Sequence, residues 1–257
     1  MRPNETGVLY ETRGPVAWIT FNRPHVLNAG DATWVGDFEE AFERLAAARD
    51  VRVAVFTGAG RAFSTGLDLT ALAHGELRME HLVRWETVMT AIERLECLTI
   101  AAINGHCIGG GLQIALVCDY RLASDTARIG LPAVRECLIP SMAVYRLPRM
   151  IGAGRAAELI ITGELITAER AEAIALVHRV VKPSDYEDAL AETIERFLAV
   201  PGSSARACKR LMRGAFDLGF DEFLEAMRAE LRACLTSEDH RQAMADIRRE
   251  RTSRPKE

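Results

Sequence analysis

The chain has no C-x-x-C pair and no H-E-x-x-H, and its six cysteines, Cys97, Cys107, Cys118, Cys137, Cys208 and Cys234, are scattered without zinc-ligand spacing. Those absences remove the zinc-module and metalloprotease classes and set the expectation that there is no metal site. The thiols read instead as small buried apolar residues in a reducing compartment. A basic excess is also missing: a formal net charge of -4 and a pI near 5.9 argue against a generic nucleic-acid binder. The segment from Arg241 to Glu257 is the exception, with six Arg or Lys against three Asp or Glu, and it reads as a solvated helix face. No uninterrupted apolar run reaches membrane length, because Leu98 to Cys118 is broken by Asn104, His106, Gln113 and a glycine triplet. The opening MRPNETGVLYETRG lacks the apolar h-region of a secretory signal. A cytoplasmic protein with no membrane span is the expectation.

What is present is ordinary globular material: 257 residues, 49% apolar and 26% charged, enough for one large domain or one domain with an appendage. VAWITFNRP (Val16 to Pro24) and VRVAVFTGAG (Val51 to Gly60) read as strands, as does LTIAAING. Between them Trp34, Phe38, Phe42 and Leu45, and then Leu82, Trp85, Met89, Ile92 and Leu95, mark the buried stripes of helices. Strands alternating with helices predict an α/β architecture whose strands are mainly parallel and covered. Past Gly152 the chain turns helical, with VHRVV as a lone strand and Pro201-Gly202 as punctuation. The expected division is a core over residues 1–200 and a helical segment over 201–257.

Two strands end in small-residue loops that run on into apolar, helix-like sequence, TGAGRAFSTGLDL (Thr57 to Leu69) and INGHCIGGGLQIALVCDY (Ile103 to Tyr120). Neither matches a nucleotide-binding loop: Gly110 is followed by Gly111 and Leu112 rather than by Lys and Ser or Thr, and Cys107 stands where a dinucleotide fingerprint needs glycine. What remains is bare backbone at a helix N-terminus, where free N–H groups and the helix dipole favour negative charge. Two such loops on neighbouring strands are able to aim one amide each at a single oxygen, forming an oxyanion hole.

At this pair the sequence resembles the crotonase superfamily, the enoyl-CoA hydratase/isomerase family. The resemblance runs through FNRPHVLNA, TGAGRAFSTGLDL, AAINGHCIGGGLQIALVCDYRLAS, ARIGLPAVRECLIP, RLPRMIGAGRAAELIITGELITAERAEAIALVHRVV and TSEDHRQAM, in that order. It implies a superhelix of ββα turns with a C-terminal helical trimerisation segment, and a homo-oligomer, either a trimer or a dimer of trimers. It also implies an acyl-CoA thioester ligand, with coenzyme A arriving as part of the substrate and no separate cofactor. The thioester oxygen would receive the amides of Leu67 and Gly110. Substrate contacts map to Pro24, Val26, Leu27 and Ala29, then to Ala62, Ser64, Gly66, Leu67 and Asp68, and finally to Gly109, Gly110 and Ala133.

Hydratases of this family use two glutamates, one to activate water and one to protonate the α-carbon. Their positions are held here by Gln113 and Ala133, and a third position, an acid in some family isomerases, is Ser141. Gln113 can position a water or a carbonyl but exchanges no proton near neutral pH. Acid or base catalysis contributes about 10²–10⁴-fold per group, so this sequence is expected to polarise a thioester and to hydrate poorly. Isomerisation, decarboxylation or C–C cleavage is preferred. The alternatives are a silent acyl-CoA binder and a true hydratase whose carboxylate is Glu136, brought inward by a loop shift and raised in pKa by apolar burial. Asp68 is expected to cap the following helix, His106 to play a core or capping part, and Tyr145 to be a buried tyrosine making one hydrogen bond. Ser141 has no base partner visible in sequence. Leu72, Leu77 and Trp85 are read as core before pocket lining.

Overall fold

Strands rich in β-branched residues build a six-stranded sheet in a computed structural model that describes residues 6–253, with side chains described as far as residue 249. The antiparallel hairpin of β1 (Val8–Arg13) and β2 (Val16–Phe21) forms one edge. From β2 the sheet runs parallel through β3 (Val53–Gly58), β5 (Leu98–Ile103), β7 (Tyr120–Ser124) and β10 (Arg179–Val181). A second sheet takes the short strands β4 (Ala62–Ser64), β6 (His106–Ile108), β8 (Arg128–Gly130) and β9 (Leu165–Thr167), in that order. Long strand, short strand, helix is the repeating turn: β3–β4 leads to α2 (Leu69–Ala73) and α3 (Met79–Glu93), and β5–β6 leads to α4 (Gly110–Val117). β7–β8 leads through a 3-10 turn at Pro132–Glu136 to α5 (Ala143–Ile151) and α6 (Ala153–Thr162). The expected ββα superhelix is what this alternation produces.

The apolar stripes do the packing predicted for them. Helix α1 (Ala32–Ala47), capped by Asp31 accepting from the Trp34 amide, buries Trp34, Phe38 and Leu45. Helix α3 buries Trp85, Val88, Met89 and Ile92. Trp34 stacks on Trp85 at 4.9 Å and 25°, and Phe21 of β2 meets Phe63 of β4 edge-on at 5.2 Å, tying one sheet to the other. Each such aromatic pair adds roughly 0.5–1.5 kcal/mol beyond area burial.

Two expectations are corrected. VHRVV does supply a strand, Arg179–Val181, which pairs parallel to β7 and extends the large sheet, but it is not alone past Gly152, because β9 precedes it. Of the cysteines only Cys107 and Cys118 are buried, whereas Cys137 and Cys208 are exposed. The short-strand sheet has no sequence signature, since three-residue strands are too brief for a period to register.

The described residues divide into two compact units between Ile194 and Glu195, inside α8 (Tyr186–Leu198). The first unit also holds α7 (Ala168–Ala173). In the second, α9 (Gly202–Gly214) packs on α10 (Phe220–Thr236), and α11 is Glu238–Ser253. A two-pronged Arg210–Glu230 ion pair joins α9 to α10, at 2.7 and 2.6 Å. Among the described residues no helix is long and apolar enough to cross a membrane.

Candidate active site

The first small-residue loop is shaped by the segment before α1. Gly30 donates its N–H to the Gly66 carbonyl at 2.7 Å and accepts from the Asp68 amide at 2.9 Å, a parallel bridge centred on Leu67. In such a bridge the central residue's own N–H and C=O point to the opposite side. The Leu67 amide is thereby turned away from Gly30, and it donates to no backbone carbonyl among the described residues.

The second loop meets it there. Gly66 has φ +85, and a Cβ built on it would stand 2.3 Å from the Gly110 nitrogen, so only glycine allows the two loops to touch. Gly109, with φ 55 and ψ -120, gives its N–H to the Gly130 carbonyl at 2.9 Å and accepts from Gln113 at 3.1 Å. That turn leaves Gly110 as the first helical residue of α4, its N–H uncommitted to protein carbonyls. All eight residues of α4 are buried, so the partial positive charge at its N-terminus is poorly screened. At the other end of α4 the buried Arg121 donates to the Ala115, Cys118 and Leu176 carbonyls at 3.2, 2.7 and 2.7 Å. Burial pulls the Arg121 pKa below its ordinary value.

A buried polar frame holds the first loop. Asn28, fully buried with φ 58, donates its amide to the Ala59, Ala62 and Phe63 carbonyls at 3.0, 2.8 and 3.2 Å and accepts from the Arg23 amide at 2.8 Å. Ser64 donates to the Asn28 carbonyl at 2.9 Å and accepts from the Gly66 amide at 3.1 Å. Arg23 pairs with Asp31 at 2.8 Å and lies 3.7 Å from Asp68. Asp68 also caps α2 as expected, accepting from Thr70 and Ala71 at 3.0 and 3.2 Å.

Of the residues expected to contact substrate, Pro24 is exposed and Val26, Leu27, Leu67 and Asp68 are half-buried. Ala29, Ala62, Ser64 and Gly66 are buried. Ala62 and Ser64 therefore act through backbone and packing, not by offering side chains. Trp85 is core, as read, with its ring edge against both Gly30 and Gly110. Leu77 is buried and Leu72 half-buried.

At the hydratase acid positions Gln113 is buried, its Oε1 without a hydrogen-bond partner, and Ala133 lies half-buried in the 3-10 turn. Glu136, at the end of that turn, is exposed, so the apolar burial expected to raise its pKa is not present. Tyr145 is 38% exposed with the Arg149 guanidinium over its ring, contrary to the buried tyrosine expected, because it lies on the outer face of α5. His106 is half-buried in β6, and its Nδ1 has no hydrogen-bond partner. Ser141 does have a carboxylate partner: its Oγ donates to Glu86 at 2.8 Å. Sequence reasoning missed that contact because Glu86 sits 55 residues away and only the packing of α3 against the loop before α5 joins them. No group of three or more His, Cys, Asp or Glu suited to a metal occurs among the described residues.

Known proteins resemble this chain in sequence and in fold. The profile of the family described as Enoyl-CoA hydratase/isomerase matches residues 11–252. The chain is 35% identical over 217 residues to the (E)-benzylidenesuccinyl-CoA hydratase of Thauera aromatica, covering 79% of this chain and 80% of that one. It is 32% identical over 244 residues to a probable enoyl-CoA hydratase of Rhizobium meliloti, covering 93% of each. The crystal structure of an enoyl-CoA hydratase from Bacillus anthracis superposes with a TM-score of 0.89 at 27% identity, covering 95% of this chain and 96% of that one.

Proposed function

This chain belongs to the enoyl-CoA hydratase/isomerase family, and from that premise we propose that it holds the oxygen of an acyl-CoA thioester between the Leu67 and Gly110 amides as that oxygen takes on enolate charge. The architecture is the crotonase fold. One observation carries the reading: both amides are free of protein carbonyls, in loops that touch at Gly66 and Gly110. An amide placed where charge develops is worth about 10²–10³ in rate per donor. Coenzyme A comes with the substrate, held by the 24–29 and 62–67 segments largely through backbone.

The reaction we assign is one that runs without glutamates at positions 113 and 133: double-bond isomerisation, decarboxylation or C–C cleavage. Gln113, buried with an unpartnered carbonyl oxygen, orients a donor group but exchanges no proton near neutral pH. Hydration is the second reading, favoured by the activity named for the Thauera aromatica and Rhizobium meliloti relatives. The discriminating experiment is to incubate the protein with crotonyl-CoA and longer enoyl-CoAs, beside calorimetric binding. Isomerised or cleaved product with little hydration supports the proposal, and rapid hydration supports the second reading. Tight binding without product makes the protein an acyl-CoA binder, and absence of binding overturns all three.

We also assign a trimer or dimer of trimers, supported by the exposed apolar side chains Met212, Phe216, Phe220, Leu231 and Leu235 in the C-terminal unit. A monomeric mass in light scattering would refute it.

A further inference from the structure

Helix α3 holds a carboxylate that no sequence position announced. Glu86 follows Trp85 on α3, and the Trp85 ring lies against Gly110. Its Oε2 accepts from Ser141 Oγ at 2.8 Å, and its Oε1 accepts from Thr90 at 3.2 Å. Arg146, only 5% exposed, lies 2.8 Å from Oε1 as an ion pair without hydrogen-bond alignment, and is held from its other side by Glu93 at 3.2 Å. The carboxylate is thus fixed in place yet 20% accessible, and Ser141 is half-buried. Both α3 and α5 pack on α4, and the Glu86–Ser141 contact joins α3 to the loop that leads into α5. Ser141 has φ 42, a left-handed conformation that costs a non-glycine residue energy and that collects at functional sites.

We propose that Ser141 and Glu86 form the proton-handling pair of this site, Ser141 meeting the substrate and Glu86 acting through it as a positioning and proton-accepting residue. The inference rests on the enolate reading above and names the group that reading lacked. Because Ser141 donates its only hydroxyl proton to Glu86, its oxygen accepts from whatever else it meets. In the step assigned, the α-carbon's C–H electron pair passes into the enolate, whose oxygen the two amides hold. The proton goes to Ser141 Oγ as the hydroxyl proton moves to Glu86 Oε2. Reversal returns a proton to the acyl chain. One carboxylate that takes a proton and gives it back suits isomerisation, whereas hydration engages a base and an acid together.

The test is exchange of the acyl α-protons of butyryl-CoA and 3-phenylpropionyl-CoA in D2O, followed by mass spectrometry, with calorimetric affinity measured alongside. Glu86→Gln is expected to slow exchange by about 10²-fold, and Ser141→Ala by about tenfold or more, with affinity within about threefold of wild type. Adding Ser141→Asp to Glu86→Gln supplies a carboxylate at the substrate-facing position and is expected to recover about tenfold, which a bracing role would not. Glu93→Gln, which also strips a partner from Arg146, should leave exchange within about twofold. Wild-type exchange in Glu86→Gln or Ser141→Ala overturns the pair, as does a Glu93→Gln loss equal to that of Glu86→Gln with no recovery by aspartate. In both cases the enolate reading survives. Absence of exchange in the wild-type protein on either thioester overturns the enolate reading itself.

Discussion

The two walls of the site are built by opposite means. On one, residues 23–30 and 58–68 are wired together over long sequence separations, and one Asn28 amide reaches three carbonyls from 31 to 35 residues away. On the other, residues 134–139 are all exposed, and the 3-10 turn is closed by local bonds such as Leu138 to the Ala133 carbonyl at 2.9 Å. The difference follows from what each wall contributes. An amide donor is part of the main chain, so aiming it means fixing the chain itself. A carboxylate is replaced by a single codon change that leaves the chain where it was. In this molecule the first wall is fixed by long-range contacts and the second is closed by local ones.

If the walls are that independent, restoring glutamates should restore the chemistry. Gln113→Glu with Ala133→Glu is expected to raise crotonyl-CoA hydration by about 10²–10⁴-fold, measured by loss of enoyl absorbance, and the first-turn position on α4 suits an added negative charge. No gain would mean the walls are coupled. Disturbing the wired wall should do the reverse. Gly66→Ala sets a methyl 2.3 Å from the Gly110 nitrogen and is expected to cost about 10²–10³ in kcat/KM, with circular dichroism confirming that the protein stays folded. Asn28→Ala strands buried carbonyls and puts alanine at φ 58, for a loss of roughly 3 kcal/mol in urea unfolding. Arg135→Ala on the exposed wall should fall within about 0.5 kcal/mol in the same assay. The smallest effect belongs to Glu136→Gln: an exposed carboxylate at the end of the turn should change turnover far less than the ~10²-fold of a working acid or base. A large loss there would make Glu136 the hydratase carboxylate.

Much of the wired wall was legible because its chemistry is written in runs. The glycine loops, the strands feeding them and the stripe through Trp34, Phe38 and Leu45 all express local periods or local backbone demands. Asp68 announced its capping role by standing just before an apolar helix. What could not be read was any partnership set by folding: Asn28 with Ala62, Arg121 with the end of α4, and Glu86 with Ser141. Glu136 drew attention for the converse reason, since proximity in sequence to Ala133 suggested a proximity in space that an exposed turn does not supply. Burial of Cys137 failed likewise, because it follows the same turn, in a left-handed conformation that leaves it exposed.

Arg121 carries a consequence for how this site stands before a ligand arrives. A helix of eight residues spans only about 12 Å, so a permanent cation clasped at its far end is felt at the near end through a dry interior. The guanidinium offsets the partial negative charge at the C-terminal pole, so the partial positive charge at the other end of α4 is less compensated. Its open terminal is therefore polarised before any ligand arrives, and on the enolate reading proposed above the incoming oxygen would enter a field already standing rather than one it must induce.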